Sequence, residues 1–139
     1  AGAPVKLVGD IGGTNARFAL VDEATGALLD ERTLPAADHA DLATAAASYL
    51  RGRAVREAAV AVAAVVSDDV IELTNSHWRF SVRDTRDRLG LDHLHVVNDF
   101  TALALALPLL RDDERRQVGS GAASVNRPVA LLGAGTGLG

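Results

Sequence analysis

The residues best suited to chemistry lie near the amino terminus, in the stretch VGDIGGTNAR that begins at Val8. Two adjacent glycines, Gly12 and Gly13, follow a short apolar run there. Glycine lets successive backbone N–H groups point into one concavity, which favours phosphate oxygens. An ordinary hairpin turn or a metal loop would also fit, and by glycine content alone a structural turn is favoured by roughly two to one.

Asp10 shifts this balance towards a ligand site. A carboxylate beside a phosphate-binding turn would repel phosphate unless a divalent cation lay between them, so magnesium bound to a nucleotide resolves the conflict. Thr14, Asn15 and Arg17 offer a hydroxyl, an amide and a guanidinium that suit phosphate and metal-bound water. For Arg17 alone, a charge on a strand surface is the commoner role. The turn matches neither a Walker A loop nor a dinucleotide-binding fingerprint.

Two further segments offer related chemistry. Asp99, in the sequence NDF, follows an apolar run and begins a helix predicted to continue to residue 110, whose dipole favours a carboxylate at its start. A helix cap is the commoner role for an isolated Asp, but Asn98 beside it supplies the donor and acceptor that suit vicinal hydroxyls. A second glycine run, GAGTGLG, follows a strand predicted at residues 128–132 and resembles the first turn in composition.

The opening part of the chain predicts a meander of three strands. Apolar or alternating runs at residues 5–8, 17–21 and 27–34 are separated by turn-forming sequences. The first glycine turn would then lie at the tip of a hairpin.

The rest of the chain alternates predicted helices with predicted strands. Helical periodicity begins at Asp41 and again after Ser81, where Ser81 and Asp84 form a variant of the capping box. Nearly uninterrupted apolar runs at 58–66 and 93–97 predict strands covered on both faces. Three meander strands followed by this alternation predict an α/β fold with a mixed sheet completed by crossovers.

Composition limits the class of protein. The 139 residues suit one domain, with 48% hydrophobic and 23% charged residues typical of a globular chain. A net charge of −4 and scattered arginines argue against a nucleic-acid partner. Because cysteine is absent, disulfides and thiolate metal sites are excluded. The longest apolar run is broken by Pro108 and is too short to span a membrane, so we expect a cytoplasmic protein without a membrane partner.

Four motifs in order, GDIGGTNARFAL, TNSHWRF, NDFTAL and GAGTGLG, resemble the bacterial glucokinase family. The wider similarity is to the superfamily of sugar kinases, heat-shock ATPases and actin. The resemblance implies an actin-like, ribonuclease H-like ATPase lobe, with a mixed sheet opened by a three-strand meander and flanked by helices. It also implies transfer of the ATP γ-phosphate to the 6-hydroxyl of glucose with Mg²⁺, the first step of glycolysis.

The resemblance assigns roles by position. Asp99 would be catalytic, taking the proton from the attacking hydroxyl, and would bind glucose together with Asn98 and Asn75. Asp10 would contact the metal indirectly, through Mg-ATP. Trp78 is a weaker candidate on the hexose side, and core packing is its commoner role. The residues that would bind the nucleotide are Gly9, Asp10, Ile11, Gly12, Gly13, Thr14, Asn15, Arg17, Gly135, Thr136 and Gly137.

The resemblance also predicts the domain organisation. Residues 1–110 would form the amino-terminal small lobe, 111–127 a polar connecting segment, and 128–139 the first strand and phosphate loop of a second lobe. We therefore expect an amino-terminal portion of a glucokinase that is inactive alone. A homodimer is compatible with the complete protein. Val65 stands where members commonly have a proline, so the local turn is expected to differ.

Two other classes of function stay open. A non-catalytic sugar-sensing regulator of the same fold could lose Asp10 or Asp99, and both are present. A structural, actin-like assembly module would have no evident use for NDFTA or a hexose-side loop. From motif specificity, we weight the kinase, the regulator and the module in the ratio of roughly 8 to 1.5 to 0.5.

Overall fold

The computed structural model describes residues 4–122 and 124–134. Their α-helices are α1 (Leu42–Leu50), α2 (Val82–Arg88) and α3 (Asp99–Ala106). Short 3-10 helices lie at Ala36–Asp38, Leu107–Leu109 and Asp112–Glu114. The β-strands are β1 (Val5–Ile11), β2 (Asn15–Asp22), β3 (Leu28–Pro35), β4 (Glu57–Val62), β5 (Val70–Glu72), β6 (Arg79–Ser81) and β7 (His93–Asn98).

Five of these strands form one mixed sheet in the order β3-β2-β1-β4-β7. The first three strands are an antiparallel meander, whereas β1, β4 and β7 are mutually parallel neighbours. Helices α1 and α2 precede β4 and β7, as parallel connections require. This arrangement confirms the predicted mixed α/β sheet with an opening meander.

The three parallel strands end level with one another. Ile11, the last residue of β1, pairs in register with Val62, the last residue of β4. Val62 in turn pairs with Asn98, the last residue of β7. The segments that follow these strands therefore leave the sheet at the same edge.

The hydrophobic core covers one face of the sheet. It joins side chains of β1, β2 and β4 to α1 and to the small β5–β6 hairpin. Phe18 of β2 stacks on Tyr49 of α1, with ring centroids 5.4 Å apart, and Trp78 beside β6 is wholly buried. This packing anchors the loops at the carboxyl edge of the sheet.

Side-chain caps explain where the first two helices begin. The Asp41 carboxylate accepts from the Thr44 N–H while the Thr44 hydroxyl accepts from the Asp41 N–H, a complete capping box before α1. Burial alone would raise the pKa of Asp41, but hydrogen bonds from Thr44 and Arg88 hold the pKa below its ordinary value. At α2, the Ser81 hydroxyl accepts from the Asp84 N–H at 3.0 Å, which is one of the two hydrogen bonds of the predicted capping box.

Asp69 supplies the remaining contacts at the start of α2, which the sequence did not suggest. Its carboxylate accepts from the Ser81 hydroxyl and from the Arg83 N–H. The same two hydrogen bonds lower the pKa of Asp69. The loop before β5 is thereby tied to the helix.

The prediction that the strands at 58–66 and 93–97 are covered on both faces is wrong for the described residues. Ala59 of β4 and His93 and His95 of β7 are exposed, because the core packs on the opposite face of those strands. Strand β4 also ends at Val62, and the following four residues form a loop. The apolar runs thus predicted the strands but not whether one or both of their faces are covered.

Three further segments differ from expectation. The β5–β6 hairpin was not predicted as a pair, because each strand has only three residues. Helix α3 ends at Ala106, before a 3-10 turn that contains Pro108, rather than continuing to residue 110. The strand predicted at 128–132 does not form: these residues have no regular structure, and Val129 and Leu132 are 78% and 77% exposed, without the neighbouring strand that a sheet requires.

The chain divides into two compact units, with the boundary between Asp99 and Phe100. The first unit contains the sheet, α1 and α2, and the second contains the rest of α3 and the exposed segments after it. Among the described residues, no helix has the length and apolar character needed to cross a membrane.

Candidate functional site at the carboxyl edge of the sheet

The predicted first phosphate loop is the turn between β1 and β2. The Gly12 N–H donates to the Asn15 carbonyl at 2.9 Å, which closes a tight hairpin around Gly13 and Thr14. The Thr14 carbonyl accepts from the Ala36 N–H at 2.9 Å. The turn is therefore fixed both internally and to the segment after β3, and the amide hydrogen of Gly12 is used within it.

The turn between β5 and β6 packs directly on this glycine turn. A Cβ atom placed on Gly13 would lie 2.7 Å from the Asn75 Cβ and 2.8 Å from the Asn75 carbonyl oxygen. Neither distance is compatible with a side chain at position 13, because the nearest atoms belong to backbone and to a Cβ. Glycine is required here for close approach, and the structure brings Gly13 and Asn75 together.

Asn98 and Asp99 lie at the same edge, at the end of β7. The Asn98 side-chain nitrogen donates to the Ala64 carbonyl at 2.7 Å, so it holds the loop that follows β4. Beside Ala64, Val65 is 82% exposed. Asp99 is the first residue of α3 and is partly buried.

The level strand ends set the spacing between the two predicted halves of the site. Neighbouring strands lie about 4.8 Å apart, so the ends of β1 and β7, separated by β4, are roughly 10 Å apart. Gly12 and Asp99 each come one residue after these ends. This separation would allow one substrate with a phosphate at the glycine turn to lie beside a second substrate with a hydroxyl near Asp99.

Asp10 and Arg17 face away from the core. They are cross-strand partners near the end of β1, and both are exposed. The Arg17 Nε lies 3.8 Å from a Glu31 carboxylate oxygen, a weak exposed ion pair. All three residues line a shallow groove of about 330 Å³ on the open face of the sheet. Asn15 begins β2 and is also exposed.

Gly9 and Ile11 point to the opposite side. Ile11 is wholly buried, and a Cβ on Gly9 would lie 3.2 Å from the Phe18 ring and 3.4 Å from Val60. The Ile11 side chain and the space beside Gly9 thus belong to the core packing, which leaves only their backbone for a ligand. Gly135, Thr136 and Gly137, predicted to form the second phosphate loop, lie outside the described residues.

Three backbone carbonyls support the site and were not found from the sequence. Ala36 and His39 accept from the Trp78 indole, and Ala64 accepts from Asn98. A backbone carbonyl is present at every position, so residue types give no signal for such partners. Within residues 4–122 and 124–134, no group of three or more metal-ligating side chains is arranged to hold an ion.

Comparison with known proteins places this arrangement in a class. The structure matches that of a glucokinase from an Antarctic psychrotroph with a TM-score of 0.79 and 37% identity, over 99% of this chain and 45% of that one. A ROK family glucokinase from Streptomyces griseus in complex with glucose and AMPPNP matches with a TM-score of 0.56 and 24% identity, over 72% of this chain and 35% of that one. The fold is that of an actin-like sugar kinase lobe.

Sequence comparison identifies the family. The glucokinase family model matches residues 7–139, so the chain belongs to the glucokinase family. It is 51% identical over 138 residues to a glucokinase of Aromatoleum aromaticum. That alignment covers 96% of this chain but 42% of the relative, so the chain spans less than half the length of this curated relative.

Proposed function

We propose that the chain is the amino-terminal portion of a glucokinase that transfers the γ-phosphate of ATP to the 6-hydroxyl of glucose with Mg²⁺. The observation on which this rests is the register of Ile11, Val62 and Asn98, which puts the glycine turn and Asp99 at one edge of the sheet. Membership of the glucokinase family supports the proposal, as does the complex of the Streptomyces griseus relative with glucose and AMPPNP.

On the nucleotide side, the backbone N–H groups of Gly13 and Thr14 bind phosphate oxygens, since that of Gly12 closes the hairpin. Gly13 has no Cβ because Asn75 fills that space, which keeps the glycine turn packed on the turn between β5 and β6. The exposed carboxylate of Asp10 would contact Mg²⁺ indirectly, as part of the bound Mg-ATP complex. Asn15 and Arg17 lie on the adjacent strand. Bound Mg²⁺ supplies charge neutralisation on the phosphates. Gly135, Thr136 and Gly137 complete the nucleotide site.

On the sugar side, Asp99 accepts the proton of the 6-hydroxyl while the new O–P bond forms. The bond between the γ-phosphorus and the β,γ-bridging oxygen breaks at the same time, and ADP leaves. Asn98 and Asn75 bind hydroxyls of glucose. The Asn98 amide has one hydrogen engaged by Ala64, which fixes its orientation beside Asp99.

The organisation of the complete protein belongs to the same proposal. Residues 1–110 form the small lobe, 111–127 connect the lobes, and 128–139 begin the second lobe. The complete enzyme works in the cytoplasm. A homodimer is compatible with the proposal. It requires neither nucleic acid nor a membrane.

The test is to incubate the complete protein with glucose and Mg-ATP and to follow phosphate transfer by phosphorus NMR. We expect glucose 6-phosphate and ADP to accumulate in equal amounts. The matched control is 6-deoxyglucose, which lacks the acceptor hydroxyl and should bind without being phosphorylated. A sugar-sensing regulator would bind both sugars and form no sugar phosphate, and that outcome would refute the kinase.

A further inference from the structure

We propose that Trp78 is a positioning residue that holds the sugar-side loop against the phosphate-side turn. The loop concerned is residues 74–78, which contains Asn75, and the turn is residues 12–14. The proposal rests on the proposed function for the ligands of these two segments. It assigns to the Trp78 indole N–H a role beyond filling the core.

The indole nitrogen makes two hydrogen bonds in a fully buried environment. Trp78 is 0% exposed, and its Nε1 donates to the carbonyls of Ala36 at 3.1 Å and His39 at 3.0 Å. Both carbonyls belong to the short segment after β3. Another aromatic ring could replace the apolar part of the indole. The two hydrogen bonds, however, fix the position of residues 74–78 along the segment after β3.

The same segment is bonded to the phosphate-side turn. Ala36 donates its N–H to the Thr14 carbonyl, so one residue links the turn to the indole. The carbonyl of His39 also lies 2.8 Å from Nε2 of His77, a second contact from the sugar-side loop. Trp78 and Thr14 are therefore joined through a single buried residue, Ala36, which is 2% exposed.

The other end of the loop is set by the contact between Asn75 and Gly13. This contact leaves no room for a Cβ at position 13, so a small shift of the loop changes it at once. The Asn75 backbone is thus held at one side by Gly13 and at the other by the indole bonds of Trp78. This double attachment sets the separation of the sugar ligand Asn75 from the phosphate-binding amides.

The first variant is Trp78→Phe in the complete protein, with Tyr49→Phe as its matched control. Tyr49 is also buried, at 1% exposure, and its hydroxyl donates to the Asp30 carbonyl at 2.8 Å, away from the proposed site. Each change removes a buried aromatic side-chain donor to the backbone, so we expect both to lower the melting temperature by a few degrees.

Only Trp78→Phe should alter catalysis at temperatures well below both melting transitions. We expect the KM for glucose to rise and kcat/KM for glucose to fall by roughly 10-fold to 100-fold, the scale of a small misplacement of substrate ligands. Tyr49→Phe should leave both constants unchanged. Equal kinetics for the two variants would overturn the proposal.

A second variant tests the route of the effect. Gly13→Ala displaces Asn75 directly, so adding Trp78→Phe to it should reduce kcat/KM by less than the product of the two separate losses. A loss equal to that product would mean independent effects and would contradict the proposal.

Hydrogen exchange separates the proposal from the proposed function, because it needs no activity. Trp78→Phe should speed exchange of the amides in residues 74–78 and 12–14, whereas Tyr49→Phe should not. Unchanged exchange in Trp78→Phe would overturn the positioning role even in a protein that phosphorylates glucose. Absence of glucose phosphorylation in the unsubstituted protein would instead overturn the proposed function, and with it the sugar-binding part of this proposal.

Discussion

Asp10 is exposed one residue before the end of β1, on the face of the sheet opposite the buried Ile11. The alternation of a strand dictates this difference between neighbours, but the strand predicted at residues 5–8 stopped short of Asp10, which lies in the longer β1. The contact of Gly13 with Asn75 could not be foreseen, because the two residues are far apart in sequence and meet only through the β5–β6 hairpin. Motif composition thus predicted the candidate residues, whereas their backbone partners required the structure.

At this scale we predict that Asp10→Asn in the complete protein impairs the use of Mg-ATP and spares glucose binding. Asn keeps the size of the side chain but loses the negative charge that would face the metal. The KM for Mg-ATP should rise about tenfold or more, an expected loss of at least ~1.4 kcal/mol of binding. Steady-state kinetics over a magnesium series and a glucose titration by tryptophan fluorescence measure the two effects.

The control for that experiment is Asp22→Asn at the other end of the same hairpin. Asp22 accepts hydrogen bonds from the N–H groups of Ala24 and Thr25, so it is a turn residue without a proposed ligand. It should leave the Mg-ATP dependence unchanged. If Asp10→Asn behaves like Asp22→Asn, then Asp10 is also only structural.

Helices and strands could be predicted from the sequence where the residues that determine them are close together in the chain. The helix after Asp41 has a complete capping box, and α2 begins at the predicted Ser81. The pairing of β5 with β6 escaped prediction because strand periodicity needs a run longer than three residues, and β6 ends on the Ser81 that caps α2. Asp69 escaped for a different reason: it caps α2 from a distant loop.

Helix α2 also contains a buried polar group that we expect to be costly. Thr85 is 1% exposed, and its hydroxyl has no hydrogen-bond partner among the residues that the structure describes. Thr85→Val removes the hydroxyl with little change of shape, so it should stabilise the protein by about 1 kcal/mol. The free energy of unfolding from urea titration measures this change.

Thr44→Val is the matched control for Thr85→Val. The Thr44 hydroxyl is a member of the Asp41 capping box, so its loss should destabilise the protein by roughly 0.5–1 kcal/mol. A Thr85→Val variant destabilised as much as Thr44→Val would show that the Thr85 hydroxyl is satisfied in solution.

At the scale of the whole molecule, the order of strands and helices determined the mixed sheet. Parallel strands need crossover connections, and the helices between the apolar runs provide them. Coverage of the sheet was not predictable, because the alanine-rich run of β4 has the same composition whether one face is packed or both. The register was also beyond the sequence, yet it brings the ends of β1, β4 and β7 level. The proposed phosphate transfer depends on that register, since it needs Asp99 and the glycine turn at the same edge of the sheet.

The measurement that tests the proposed phosphate transfer most directly is the kcat of Asp99→Asn in the complete protein, taken with a thermal melt and a glucose titration. Asn keeps the size of the side chain at the first residue of α3 and loses only a favourable charge at that helix end, so the melting temperature should fall by no more than a few degrees. Asn cannot accept the hydroxyl proton, so we expect kcat to fall by roughly 10²–10⁴. Glucose affinity should fall less, because the amide still hydrogen-bonds a hydroxyl. A kcat close to that of the unsubstituted enzyme would remove Asp99 from the mechanism, and a collapsed melting transition would assign it a structural role instead.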